Sequence, residues 1–171
     1  MGIDPIVLFS LQFTFVLIAY ALAVRWYLWP RIAPLPAAVA LVPLIWVHVF
    51  RVVGGTILAP GSVGPGVPAS FREMVGYGDI ITGALALIAL ILLRARGARV
   101  LWFVWLFVIF GLLDTTNAVI QSMKDKVFDQ PLGLNWVIVT AYVPALLVST
   151  YLIFVVLLRS RSTATNRGSG G

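Results

Sequence analysis

The chain has 171 residues, 61% of them hydrophobic and 11% charged, with a formal net charge of +6. A soluble domain carries about 25% charged residues, so this composition cannot cover a water-facing surface and leaves no room for a separate soluble domain. The absence of cysteine excludes disulfides, thiol catalysis and iron–sulfur clusters. The bases lie in short loops beside apolar runs, not along a helix face, which argues against nucleic acid as a partner.

The first apolar run predicts a helix over about 5–24, closing in the aromatic-basic cluster Arg25-Trp26-Tyr27-Leu28-Trp29-Pro30-Arg31. A cleaved signal peptide needs a basic start. Asp4 precedes this run and no Lys or Arg does, so the first helix is expected to be retained. The second helix is predicted over about 35–58, followed by a Gly/Pro-rich connection from Ala59 to Phe71. A third helix over about 75–93 stops at Arg94-Ala95-Arg96-Gly97-Ala98-Arg99, and a fourth covers about 100–120. A polar loop from Gln121 to Gly133 leads to a fifth helix over about 134–158. The remaining 159–171 are small, polar and basic, and are expected to form a disordered cytoplasmic tail. Each apolar run is near the ~20 residues that span a bilayer.

Charge placement sets the expected orientation. Arg25, Arg31, Arg94, Arg96, Arg99, Arg159, Arg161 and Arg167 flank one end of the helices, and all six acids lie toward the other. Positive loops stay in the cytoplasm. The reading is therefore an all-α membrane protein, a five-transmembrane-helix bundle with its N-terminus outside and its C-terminus cytoplasmic, in a bacterial-type inner membrane. Two packing cues accompany it. Ala141, Ala145 and Ser149 form a small-residue stripe suited to close helix approach. Pro43 and Pro144 fall inside helices and remove backbone donors, which predicts kinks.

Val75-Gly76-Tyr77-Gly78-Asp79 resembles the potassium-channel selectivity filter, whose TVGYG loops line up carbonyls for the ion. The likeness covers five residues, with Met74 where that family has Thr. The preceding Gly61 to Phe71 is too rich in Gly and Pro for a pore helix. The local alternative is a glycine-eased start to the third helix, with Asp79 near its positive end.

The polar residues inside the spans carry the functional reading. His48, Arg51 and Gly55 follow i, i+3, i+7 spacing on the second helix, and Asp114, Asn117 and Gln121 repeat it on the fourth at similar depth. Asp79, Gln12, Thr140 and Tyr142 fall in the same outer half. An ionisable group at a helix centre costs about 2.5–3.5 kcal/mol to insert and usually faces the bundle interior. Arg51 is therefore expected to pair with Asp114 or Asp79, Asn117 and Gln121 to complete its hydrogen bonds, and His48 to exchange a proton with Asp114. His48, Arg51, Asp79, Asp114 and Asn117 are the candidate ligand-binding residues, supported by Gln12, Gly55, Gln121 and Tyr142. With one histidine beside an arginine, no metal and no cofactor is expected.

Three roles fit this cluster. The first is a non-catalytic protein binding or passing a small polar or anionic ligand, with transport requiring a homo-oligomer. The second is a membrane-embedded enzyme acting on a lipid or isoprenoid, with His48 and Asp114 as acid and base. The third is a structural or accessory subunit in which the ion pair sets helix register and the small-residue stripe meets a partner membrane subunit.

Overall fold

The computed structural model describes residues 3–95 and 100–168, with side chains as far as Ser160. Among the described residues there is no strand. Five helices are long and apolar enough to cross a membrane: α1 over Pro5–Ile32, α2 over Ala37–Leu58, α3 over Ala69–Arg94, α4 over Val100–Lys124 and α5 over Leu134–Ser160. The end of the bundle bearing the α2–α3 and α4–α5 connections is its acidic end, and the opposite one its basic end.

Asp4 caps α1, its Oδ1 accepting from the Ile6 N–H at 2.9 Å, and Pro5 stands in the first turn, where a missing N–H costs nothing. The helix does not end near Val24 as expected. A π turn over Val24–Leu28 carries it into a last turn over Trp29–Ile32 that contains Pro30. A second π turn, Ile138–Tyr142, precedes Pro144 in α5 by the same offset. A proline ring crowds the carbonyl four residues back and offers no N–H; widening the turn before it relieves the crowding. Both prolines are absorbed without a break. Pro43 sits within the α-helical stretch Ala37–Val49.

At Phe50 the second helix changes character. Phe50–Leu58 form nine residues of 3₁₀ helix, where such runs seldom exceed about 3–4 residues. Three residues per turn stack Arg51, Gly54 and Ile57 on one face, and these are the buried residues of the segment. Gly55, expected on that face from α-helical spacing, is displaced from it. Its neighbour is the Ile80 side chain, which a Cβ at Gly55 would meet at 3.0 Å.

The third helix begins at Ala69 behind Pro68, not at Val75, because Arg72, Glu73 and Met74 are competent helix formers. Val75 to Asp79 are therefore helical, and the filter-like motif has no filter geometry. Asp79 lies ten residues into α3, beyond reach of the N-terminal dipole. The fifth helix continues as backbone to Gly168, past the expected end at Leu158. No Gly or Pro interrupts its hydrogen-bond ladder between those positions; residues 169–171 of the expected tail lie outside the described residues.

Two apolar clusters hold the helices. The larger, toward the basic end, packs Leu41, Leu44 and Ile45 of α2 against Ala86 and Ala89 of α3, Phe107 of α4 and Ile153 and Leu157 of α5. The smaller joins the connections at the acidic end through Ile57, Val67, Phe71, Val127 and Leu132. Helices α2 and α3 approach closely: a Cβ on Gly83 would lie 3.2 Å from the Val49 carbonyl oxygen. Ser149 of the small-residue stripe is buried and donates to the Leu44 carbonyl at 2.7 Å, while Ala141 and Ala145 are half-buried. No residue of Pro5–Ala23 is buried, so α1 is the peripheral helix, packed on α5 and the Val127–Asp129 turn.

Candidate functional site

Arg51 enters the bundle from the 3₁₀ segment of α2 and is 4% exposed. Its Nε donates to Asp79 Oδ1 of α3 at 2.5 Å, and its Nη2 donates to Asp114 Oδ2 of α4 at 2.5 Å. Nη1 donates to the Gly111 carbonyl at 3.1 Å. One guanidinium thus ties three helices, with charge-assisted bonds in the fork geometry that arginine provides. The carboxylates are largely enclosed, at 16% and 13% side-chain exposure, so the pairing replaces water rather than competing with it.

Glycines make this approach sterically possible. A Cβ on Gly54 would fall 1.8 Å from Asp79 Oδ2, and a Cβ on Gly78 would fall 2.0 Å from Asp114 Oδ1. At Gly111 it would meet the Thr82 methyl at 3.0 Å and Arg51 Nη1 at 3.4 Å. Each charged residue therefore has a glycine within three positions in its own helix: Arg51 has Gly54, Asp79 has Gly78, and Asp114 has Gly111. Threonines finish the surroundings. Thr82 donates to the Gly78 carbonyl at 2.8 Å, and Thr115 donates to the Gly111 carbonyl at 2.8 Å. Gly78 belongs to the filter-like motif; Gly54, Gly111 and the threonines do not stand out by residue type, although their spacing from the charges is visible.

The expected pairing of Arg51 is present with both candidate aspartates. The other expected members are not part of it. His48 is 2% exposed, and neither ring nitrogen has a hydrogen-bond partner among the described residues. Its ring stands edge-on to Phe107 at 5.2 Å in the apolar cluster. Asp114 lies two turns beyond Phe107 along α4, about 10 Å away along the axis, so the short imidazole does not reach it. Asn117 is exposed and donates to Met74 Sδ at 2.9 Å, and Gln121 donates to Asp125 at 3.1 Å. Gln12 accepts from the Trp136 indole at 2.7 Å and ties α1 to α5. The Tyr142 hydroxyl donates to the Val47 carbonyl, and Thr140 donates to its own helix at the Trp136 carbonyl.

A cavity of about 120 Å³ opens beside the cluster, with Arg51 and Asp79 in its wall. All five helices contribute: Phe9 and Phe13 from α1, Gly54 from α2, Val75 from α3, Thr115 and Ala118 from α4, and Asn135 and Tyr142 from α5. Most of its lining is aliphatic or aromatic. Over it, the connections are stitched together. Thr56 donates to Asn135 Oδ1 at 3.2 Å, Asn135 Nδ2 donates to the Ser62 carbonyl at 3.1 Å, and Gly64 N–H donates to the Pro131 carbonyl at 2.6 Å. Asn135 is 6% exposed, and hydropathy alone gave no sign of its role.

Fold and site together define a bundle of five apolar helices built around a polar centre near one end. The chain belongs to the family described as Domain of unknown function (DUF8737), whose profile matches residues 8–158. That stretch contains every residue of the charged cluster and of the cavity. No curated protein and no solved structure matches the chain.

Proposed function

We propose that the protein is a multi-pass protein of a bacterial-type plasma membrane, N-terminus outside, that binds or passes a small polar ligand in the cavity beside Arg51 and Asp79. The single observation that carries this reading is a charged pair in the wall of a mostly apolar cavity. Cavities that hold drug-sized ligands run to about 300–1,000 Å³, so one of about 120 Å³ suits a molecule of few heavy atoms. Arg51 already faces two carboxylates, and an anion would have to displace one of them. An uncharged hydrogen-bonding group, or a cation that answers the surplus carboxylate, fits better than the anionic ligand also expected from sequence.

Thermal unfolding of the purified protein in detergent tests this against glycerol and urea, methylammonium, and acetate and phosphate. Stabilisation by a neutral or cationic probe, lost in Ala118→Phe, supports the proposal, because that substitution fills the cavity and leaves the ion pairs in place. Stabilisation that persists in Ala118→Phe, or that only anions produce, would contradict it.

A second reading is favoured by the bridging geometry itself. Arg51 joins α2, α3 and α4, which is what a register-setting structural element requires, and such an element would serve an accessory subunit. Acid–base catalysis by His48 and Asp114 has no support from the geometry, since the imidazole touches neither the carboxylate nor the cavity.

A further inference from the structure

A second polar feature lies at the opposite end of the bundle, in the seam between α1 and α5. We propose that this seam binds an anionic phospholipid, its phosphate held by Arg25 and Arg159 and its acyl chain lying along the two helices. The cavity there measures about 520 Å³. Arg25 comes from the π turn of α1 and Arg159 from the far end of α5, and both line it. Trp29 stands with them at the rim, Tyr151 lies about two turns along α5 from Arg159, and no acidic residue belongs to the lining. The remaining wall is apolar, from Leu17 in α1 to Val155 in α5.

Three features argue for a lipid in particular. Two arginines lining one cavity suit a phosphate, which can accept charge-assisted bonds from more than one guanidinium. Basic pockets between helices at a membrane surface are matched to anionic headgroups. The apolar floor runs along the helix axes from that basic rim, giving one amphipathic molecule a place for each of its halves; a free anion would leave the floor empty. The Arg159 guanidinium carbon lies 4.7 Å above the Trp29 ring, which holds one arginine at the rim and couples the two helices there. All six acids of the chain lie toward the other end, so the local field at this seam is positive. The site is separate from the Arg51 cavity and does not rest on the function proposed for it.

The test uses the full chain in vesicles that carry a brominated tracer lipid, either phosphatidylglycerol or phosphatidylcholine, with quenching of tryptophan fluorescence as the readout. The phosphatidylglycerol tracer is expected to quench more at equal mole fraction, and Trp29→Phe is expected to remove most of that difference. Arg25→Gln and Arg159→Gln should each lower the preference about fivefold, the size of one basic contact at an anionic surface. Arg25→Lys with Arg159→Lys should retain a preference and shows whether the charge, rather than the fold, is responsible. Equal quenching by the two tracers, or a preference that survives both glutamine substitutions, would overturn the proposal. Displacement of the bound tracer by inorganic phosphate alone would overturn the assignment to a lipid.

Discussion

At the acidic end of the bundle, three helices meet on one guanidinium, and glycines bring their backbones close enough for two carboxylates to reach it. At the basic end the same helices meet through Leu41, Ile45, Ala86 and Phe107, and the cluster contains no charged side chain among the described residues. The difference lies in what each end can tolerate. Apolar packing is non-directional and absorbs small changes of register, whereas a forked ion pair holds only while Arg51, Asp79 and Asp114 keep their relative heights. On the register-setting reading the polar end carries the specificity of the fold, and the Arg51 cavity lies beside it. His48 marks the border: it lies one turn from Arg51, yet belongs to the apolar end and has no polar contact there.

The largest expected effect comes from breaking the polar end. Arg51→Met leaves two carboxylates facing each other in a nearly closed space. Removing one partner of a buried pair costs about 3–5 kcal/mol, and the unfolding free energy in mixed micelles should fall by that amount. Arg51→Lys should recover only part of the loss, because an ammonium cannot fork to both carboxylates. A loss below about 1 kcal/mol in Arg51→Met would mean that the two ends do not differ as described.

The basic end should respond with the opposite sign when the unpartnered His48 is removed from its border. His48→Leu replaces two unsatisfied nitrogens with a side chain of similar volume. An unsatisfied buried polar group costs about 1–3 kcal/mol, so the variant should be more stable than the parent in the same assay. Loss of stability would show that His48 has a partner in the membrane and belongs with the polar centre. The smallest effect is expected at the seam between α2 and α5. Ser149→Ala removes one hydrogen bond to the Leu44 carbonyl, and such bonds between helices in membranes are worth about 0.6 kcal/mol. A cost of several kcal/mol would move this seam into the class of the Arg51 cluster.

Much of this contrast was legible in the sequence. Runs of hydropathy marked the five spans, and the common placement of Arg51, Asp79 and Asp114 in one half of the bundle marked a pairing of Arg51 with Asp114 or Asp79, because charges in apolar helices have few other ways to be satisfied. Features that depend on local helix type were hidden. A 3₁₀ period moved the buried glycine from Gly55 to Gly54. Two π turns let α1 and α5 continue toward prolines that read as a stop and a kink. Asn117 and Gln121 share a helix face with Asp114, yet found partners in Met74 and Asp125, one turn or more away from the guanidinium. His48 was misplaced because equal residue depth does not give equal side-chain reach.

The 3₁₀ register of α2 puts Arg51 and Gly54 against the aspartates, and two adjacent single substitutions test it most directly. A methyl at Gly54 would overlap the Asp79 carboxylate at 1.8 Å, while one at Gly55 would meet only the end of the Ile80 side chain at 3.0 Å. Overpacking of a tight site costs about 1–3 kcal/mol, so Gly54→Ala should unfold at clearly lower denaturant than the parent, with Gly55→Ala close to it. The reverse order, with Gly55→Ala the damaging change, would restore the α-helical register and contradict the account of the site.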